Sequence, residues 1–306
     1  MNRRQFLAAA AAAPALRAQA PQWGSPVLDT HLHLRKGLDA NFVHIEGCGV
    51  NKAVLLARSG ATEQVRDIQA KYPNRFVWAA ATDITKPEAV AILTEAVKDG
   101  ALGFGELKFH VAADGPELRR MYALAGELDV PILVHFQEVD HFPGEGVWDT
   151  GYQKNFEAML KAYPKTRFVG HADAFWANVS ADYANDAAYP TGPIKPGGVT
   201  DRLLADYPNL FGDLSANSCN NALSRDPEFT AGFLARHQDK LVFGSDCSCS
   251  DGKGGGVSQA NNPVASRLAG KCVARETLTL LKKSAQPAVF QKLTWKNGHH
   301  LWRIPS

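Results

Sequence analysis

Six side chains able to hold a divalent metal ion recur in this 306-residue sequence, each at the end of a short apolar run: His31 and His33, then Glu106, His135, His171 and Asp246. Imidazole and carboxylate are the donors that zinc and similar ions take, and a catalytic ion needs several of them with one position left open. His31 and His33 are two apart, so on an extended strand they share one face. The other four are scattered through the chain. Only a fold that returns strand after strand to a common rim brings them together.

The elements that would position them alternate regularly. Apolar or β-branched runs at 27–34, 52–57, 76–82, 102–109, 131–136, 167–171, 210–215 and 241–245 read as strands. Helix-capable stretches lie between them. Thr85 is expected to cap one, with Pro87 in its first turn and Gly100 as its stop; Asp114-Gly115-Pro116-Glu117 and Asp226-Pro227-Glu228 open two more. Eight strand–helix units predict an α/β fold of the (β/α)8 TIM-barrel type, whose catalytic groups sit at the C-terminal ends of the strands. No Gly-x-Gly-x-x-Gly turn follows the first strand, which argues against a dinucleotide fold. The long loops at 172–198 and 247–263 are expected to shape the substrate pocket.

Composition sets the frame. Hydrophobic residues make up 45%, enough for a sizeable core, and a formal charge of +2 gives no case for a nucleic-acid partner. Arg3-Arg4-Gln5-Phe6-Leu7, an alanine-rich stretch and Ala18-Gln19-Ala20 read as an export signal with a twin-arginine motif. The expected organisation is a signal over 1–20 and one enzymatic barrel over 21–306, placed in the periplasm or another extracytoplasmic space. Pro21 is a poor residue after the cut, so the signal could stay as an anchor; no other membrane span is expected. Cleavage would remove Arg3, Arg4 and Arg17, leaving 30 basic against 31 acidic residues. A homo-oligomer is compatible with the sequence. The five cysteines, Cys48, Cys219, Cys247, Cys249 and Cys272, fit no zinc-finger spacing. Cys247-Ser248-Cys249 reads as small, half-buried thiols in a loop rather than as ligands.

Asp29-Thr30-His31-Leu32-His33, Val134-His135, Val169-Gly170-His171 and Phe243-Gly244-Ser245-Asp246 resemble the strand-one, strand-five, strand-six and strand-eight motifs of the amidohydrolase superfamily of metal-dependent hydrolases. Gly105-Glu106 resembles the fourth-strand segment of TatD-type deoxyribonucleases, whose glutamate bridges two metals, and the amidohydrolase-2 branch. The similarity runs to the tail at 292–302, where Gly298 stands in place of the family's usual alanine. It implies a divalent cofactor, zinc first, as one ion or two. His31, His33 and Asp246 would hold the inner ion; Glu106, His135 and His171 would hold a second. It further implies that Asp246 acts as general base on a metal-activated water, and that His171 polarises the scissile carbonyl if there is one ion. The activity implied is hydrolysis of a C–O or C–N bond in a small substrate, such as a carboxylate-bearing lactone, amide or ester-like molecule. Two alternatives share the motifs: a single-metal decarboxylase of the aminocarboxymuconate-semialdehyde type, and a TatD-like phosphodiesterase. A mature chain of near-neutral charge, without basic loops, argues against the latter. A non-catalytic zinc barrel is the remaining reading.

Further candidates line the expected rim. Lys108 shares a strand face with Glu106 and is read as a substrate-anchoring cation, although the two could simply pair. Arg58 would clamp a carboxylate with its fork of donors. His110 and His141 are candidate substrate contacts, with Phe142, Trp148, Asp173 and Trp176 near the pocket. His44, His237, His299 and His300 read as surface or helix-end residues.

Overall fold

A computed structural model describes residues 21–141, 144–256 and 265–304. The twin-arginine signal expected over 1–20, Phe142, and the 257–263 part of the second long loop lie outside the described residues.

Eight parallel strands pair in chain order: β1 (Leu28–His33), β2 (Lys52–Arg58), β3 (Phe76–Ala81), β4 (Phe104–Leu107), β5 (Pro131–His135), β6 (Arg167–His171), β7 (Leu210–Leu214) and β8 (Leu241–Phe243). Helices alternate with them, which makes the fold the expected (β/α)8 barrel. The last strand meets the first through individual bonds instead of a ladder. Thr30 Oγ1 donates to the Phe243 carbonyl at 3.0 Å, Ser245 N to Asp29 Oδ1 at 2.8 Å, and Asp246 N to the His31 carbonyl at 2.8 Å. β8 is therefore shorter than the sequence suggests: residues 244–246 leave the strand direction to make these bonds, with Asp246 at φ +44°.

Strand periodicity divides the core in two. Leu55, Phe104, Ile132, Phe168, Leu210 and Phe243 pack under the helices. Leu28, Val54, Leu56, Ala79, Leu133, Val169 and Val242 fill the barrel, together with Leu301, Trp302 and Ile304 from the chain's closing helix and the turn after it. Trp302 presses on the entry to β4, where a Cβ added to Gly103 would lie 2.4 Å from the indole ring and 2.9 Å from the Pro131 carbonyl. Gly103→Ala is accordingly expected to cost about 1–3 kcal/mol through overpacking, read as a lowered urea midpoint with an unchanged slope.

Three local expectations give way. Thr85 does not cap a helix: Asp83 Oδ1 accepts from both Thr85 N (3.0 Å) and Thr85 Oγ1 (2.6 Å), a competing local turn, and the helix runs Ala89–Lys98. The 172–198 segment is no open loop, because it begins with the buried helix Ala172–Ala177. Trp176, expected at the pocket, is fully buried and donates its indole N–H to the Asp213 carbonyl at 3.0 Å. The helices Pro116–Glu127 and Pro227–Arg236 start where expected, the second capped by Asp226 through Phe229 N. Among the described residues no helix is long and apolar enough to cross a membrane.

Candidate active site

Register places the polar residues in one layer. β5 and β6 pair Leu133 with Val169 and His135 with His171; β6 and β7 pair Val169 with Phe211. Two residues up from Phe211, Asp213 therefore stands level with His135 and His171. His31 and His33 enter this layer from β1 and Glu106 from β4, both strands with a register irregularity just before or around the site. Asp246 arrives from the turn after β8.

Five of these side chains converge. His31 Nε2 lies 3.4 Å from His33 Nε2 and 3.7 Å from Asp246 Oδ1; His33 Nε2 is 3.4 Å from Asp246 Oδ1 and 3.3 Å from Glu106 Oε2. His171 Nε2 is 3.5 Å from Glu106 Oε1 and 3.7 Å from Asp246 Oδ2. Two sets of donors can each surround one ion, His31 with His33 and Asp246, and His31 with Glu106 and His171. His135 sits to one side, its Nδ1 2.5 Å from Glu106 Oε1 and its Nε2 3.0 Å from Gln137 Oε1.

The donor set fits a divalent ion. Nitrogens held at about 2.0–2.1 Å by a tetrahedral ion lie about 3.3 Å apart, close to the observed 3.4 Å between His31 and His33. Both buried histidines are also oriented from behind. Asp213 Oδ2 is 2.6 Å from His31 Nδ1 and 3.2 Å from His171 Nδ1, and Ser215 Oγ is 2.8 Å from His171 Nδ1 while donating to Asp213 Oδ2 at 2.6 Å. A carboxylate on one imidazole nitrogen leaves the other free to bind metal, the usual support of a metal-binding histidine. A Cβ on Gly244 would lie 2.4 Å from Asp213 Oδ1 and 2.6 Å from His31 Cβ, so the support is packed without slack.

The electrostatics point the same way. Burial disfavours the charged form of His31, yet Asp246 and Asp213 outweigh it and hold its pKa up at about 9. His33 is likewise pulled down by burial but raised to about 10 by hydrogen bonds to Asp246 and Glu106. Burial would raise Glu106, but His135 and His33 hold it well below the usual carboxylate range; against the same burial, His31 and His33 hold Asp246 down. Burial, then the neighbouring His31, lowers His171. Glu106, Asp213 and Asp246 thus balance their charge against protonated His31 and His33, and a divalent ion would take the place of those protons.

A cleft of about 760 Å3 opens beside this layer, a size suited to a small molecule. His33, half exposed, and Glu106 reach it from the layer; Arg58, Lys108, His110 and Trp148 form part of its wall. Arg58 continues the inward face of Val54 and Leu56 and has no carboxylate within 4.0 Å among the described residues. Lys108 does not pair with Glu106. Its Nζ is 3.6 Å from Glu145 and 4.9 Å from the centre of the Trp148 ring, on which His110 stacks. His141 is not among the residues lining that cleft: its imidazole bridges Asp173 Oδ1 at 3.0 Å and Glu145 Oε2 at 3.5 Å. Asp213, Ser215 and Gln137 were not singled out from the sequence. The pattern Phe211-x-Asp213, repeating Leu133-x-His135 and Val169-x-His171, was the available signal for Asp213.

No family model and no curated protein matches the chain. Solved structures do. A 2,6-dihydroxybenzoate decarboxylase from Rhizobium is 13% identical, with 91% of this chain and 98% of that one covered and a TM-score of 0.51. A putative amidohydrolase from Staphylococcus aureus is 15% identical (92% and 99% covered, TM-score 0.52). A TatD homolog from Escherichia coli K12 is 14% identical (91% and 98% covered, TM-score 0.53). The likeness is one of fold.

Proposed function

We propose that this chain is a metal-dependent enzyme of the amidohydrolase type that hydrolyses a C–O or C–N bond in a small, carboxylate-bearing lactone, amide or ester. The observation that carries the reading is the position of Glu106. One carboxylate oxygen faces His33 and the other faces His135 and His171, so the side chain could serve both groups of donors. His31, His33 and Asp246 would hold one ion, and Glu106 and His171 a second, which His135 could join only by turning from Glu106 and Gln137. A divalent ion there, most simply zinc, would supply the Lewis acidity that makes water a nucleophile near neutral pH.

The chain's own groups do the rest. Asp246, with its side chain 29% exposed, reaches both the histidine cluster and solvent, and so can take a proton from the attacking water and return it to the leaving group. Asp213 and Ser215 hold His31 and His171 in the ring orientation this needs. Arg58 and Lys108 would anchor the substrate carboxylate from the cleft wall, Arg58 through paired hydrogen bonds.

A single-metal decarboxylase is the second reading. In it His31, His33, His135 and Asp246 would hold the ion and Glu106 would not; its support is that Glu106 already has a partner in His135 Nδ1 at 2.5 Å, and one fold neighbour is described as a decarboxylase. Elemental analysis beside Glu106→Gln separates the two. Hydrolysis with two ions requires the variant to hold one equivalent less than the wild type, with ester, lactone or amide turnover reduced; an unchanged metal content would discard the bridging role. Export through the twin-arginine route is proposed as well, tested by whether an Arg3→Lys, Arg4→Lys chain stays inside the cell.

A further inference from the structure

A second cluster of soft donors lies behind the turn that carries Asp246. Cys247 and Cys249 alternate along an extended loop, so both thiols face one side, with Sγ atoms 3.4 Å apart. Cys272, at the N-terminus of helix Val273–Ser284, places its Sγ 3.7 Å from that of Cys247. His44, from helix Ala40–Cys48, points Nδ1 at Cys249 Sγ from 3.6 Å. Three of the four depart from their sequence reading: His44 is fully buried rather than at the surface, and Cys247 and Cys249 are buried rather than half-buried; Cys272 is buried as well. All five cysteines are free; Cys48 Sγ donates to the Ile45 carbonyl at 3.6 Å and also neighbours Cys272.

We propose that Cys247, Cys249, Cys272 and His44 form a structural site for a zinc-class ion, separate from the barrel-rim donors. Ligand bonds of about 2.3 Å to sulfur and about 2.0 Å to nitrogen put tetrahedral sulfurs about 3.8 Å apart and a sulfur and nitrogen about 3.5 Å apart. His44, Cys247 and Cys272 offer donor atoms within 4.8 Å of one another; the Cys247–Cys272 and Cys249–His44 separations, 3.7 and 3.6 Å, follow those figures, and Cys249 approaches Cys247 more closely, at 3.4 Å. His44 Nδ1 also faces the Cys249 carbonyl at 3.0 Å, but that carbonyl already accepts from Arg35 Nη1 at 2.6 Å, so the imidazole can turn its lone pair to an ion at little loss. Binding releases the three thiol protons to solvent. Three thiolates and one divalent ion leave a single negative charge, and Arg35, whose Nη2 donates to the Cys247 carbonyl at 2.5 Å, lies against it. Thiolate donors select zinc over the hard ions that carboxylates take. The site would clasp the helix after β1, the loop after β8 and the following helix, fixing the turn on which Asp246 stands.

Cobalt(II) tests this in the folded full chain, stripped of metal and reduced under anaerobic conditions. Only sulfur ligands give a near-ultraviolet thiolate-to-cobalt absorption; the barrel-rim donors are nitrogen and oxygen. The expected result is such a band saturating at one equivalent, kept in His31→Ala and lost in Cys272→Ser. Its absence from the wild-type protein overturns the proposal, and needs no variant to fold. So does a disulfide among Cys247, Cys249 and Cys272 in protein purified without reductant, seen as two protected thiols on alkylation. Failure of the catalytic reading would leave the band in place, so the two claims fail separately.

Discussion

Asp246→Asn should lower kcat by about 1,000-fold or more on any ester, lactone or amide that the wild-type enzyme turns over, since a positioned general base contributes 10²–10⁴ and the amide also weakens an ion's binding. The change is nearly isosteric. Asp246 N, not its side chain, makes the bond to His31 that joins β8 to β1, so the barrel should keep its circular dichroism and unfolding midpoint. That contrast gives the test its force: a folded protein with lost turnover supports the assignment, and a folded protein retaining a tenth of its activity removes Asp246 from the chemistry.

Asp213→Ala should do the opposite, damaging the fold along with the site. The carboxylate is buried between two imidazoles, and its removal leaves His31 Nδ1 with only Ser215 Oγ at 3.4 Å. Breaking a buried pair from one side costs about 3–5 kcal/mol, and losing the group that orients a metal-binding histidine typically costs 10–100-fold in metal affinity. Urea unfolding and competition with a chelator read the two effects. Asp213→Asn keeps the shape and one acceptor, so it should recover part of the stability while still weakening metal binding. Equal stability in all three proteins would show that the histidines do not depend on Asp213.

The barrel was legible because each strand is a short apolar run closed by a turn signal, and because the polar residues recur at one end of those runs. His31, His33, Glu106, His171 and Asp246 could be grouped from type and position before any contact was known. Asp213 was harder: a lone aspartate after Gly212 looks like a turn residue until the register of β6 against β7 fixes its level. Trp148 and Glu145, which take up Lys108, come from a segment between β5 and the next helix whose path the sequence does not dictate. The helix starting at Ala89 was displaced because Asp83 offers Thr85 a nearer partner than the helix does. The cysteine cluster was invisible in one dimension, as His44 and Cys272 lie 203 and 25 residues from Cys247 and meet it only through the packing of the loop on helix Ala40–Cys48. Gly47 and Gly252 permit that packing: a Cβ on either would overlap the facing backbone within 2.2 Å.

Trp302 has a consequence for how the molecule comes into being. The indole that stoppers the cylinder comes from the segment after the last strand, while the walls it packs between are laid down from residue 28 onward. A ribosome therefore delivers all eight staves before the bung, and this end of the cylinder can be stoppered only once the last stave has been made.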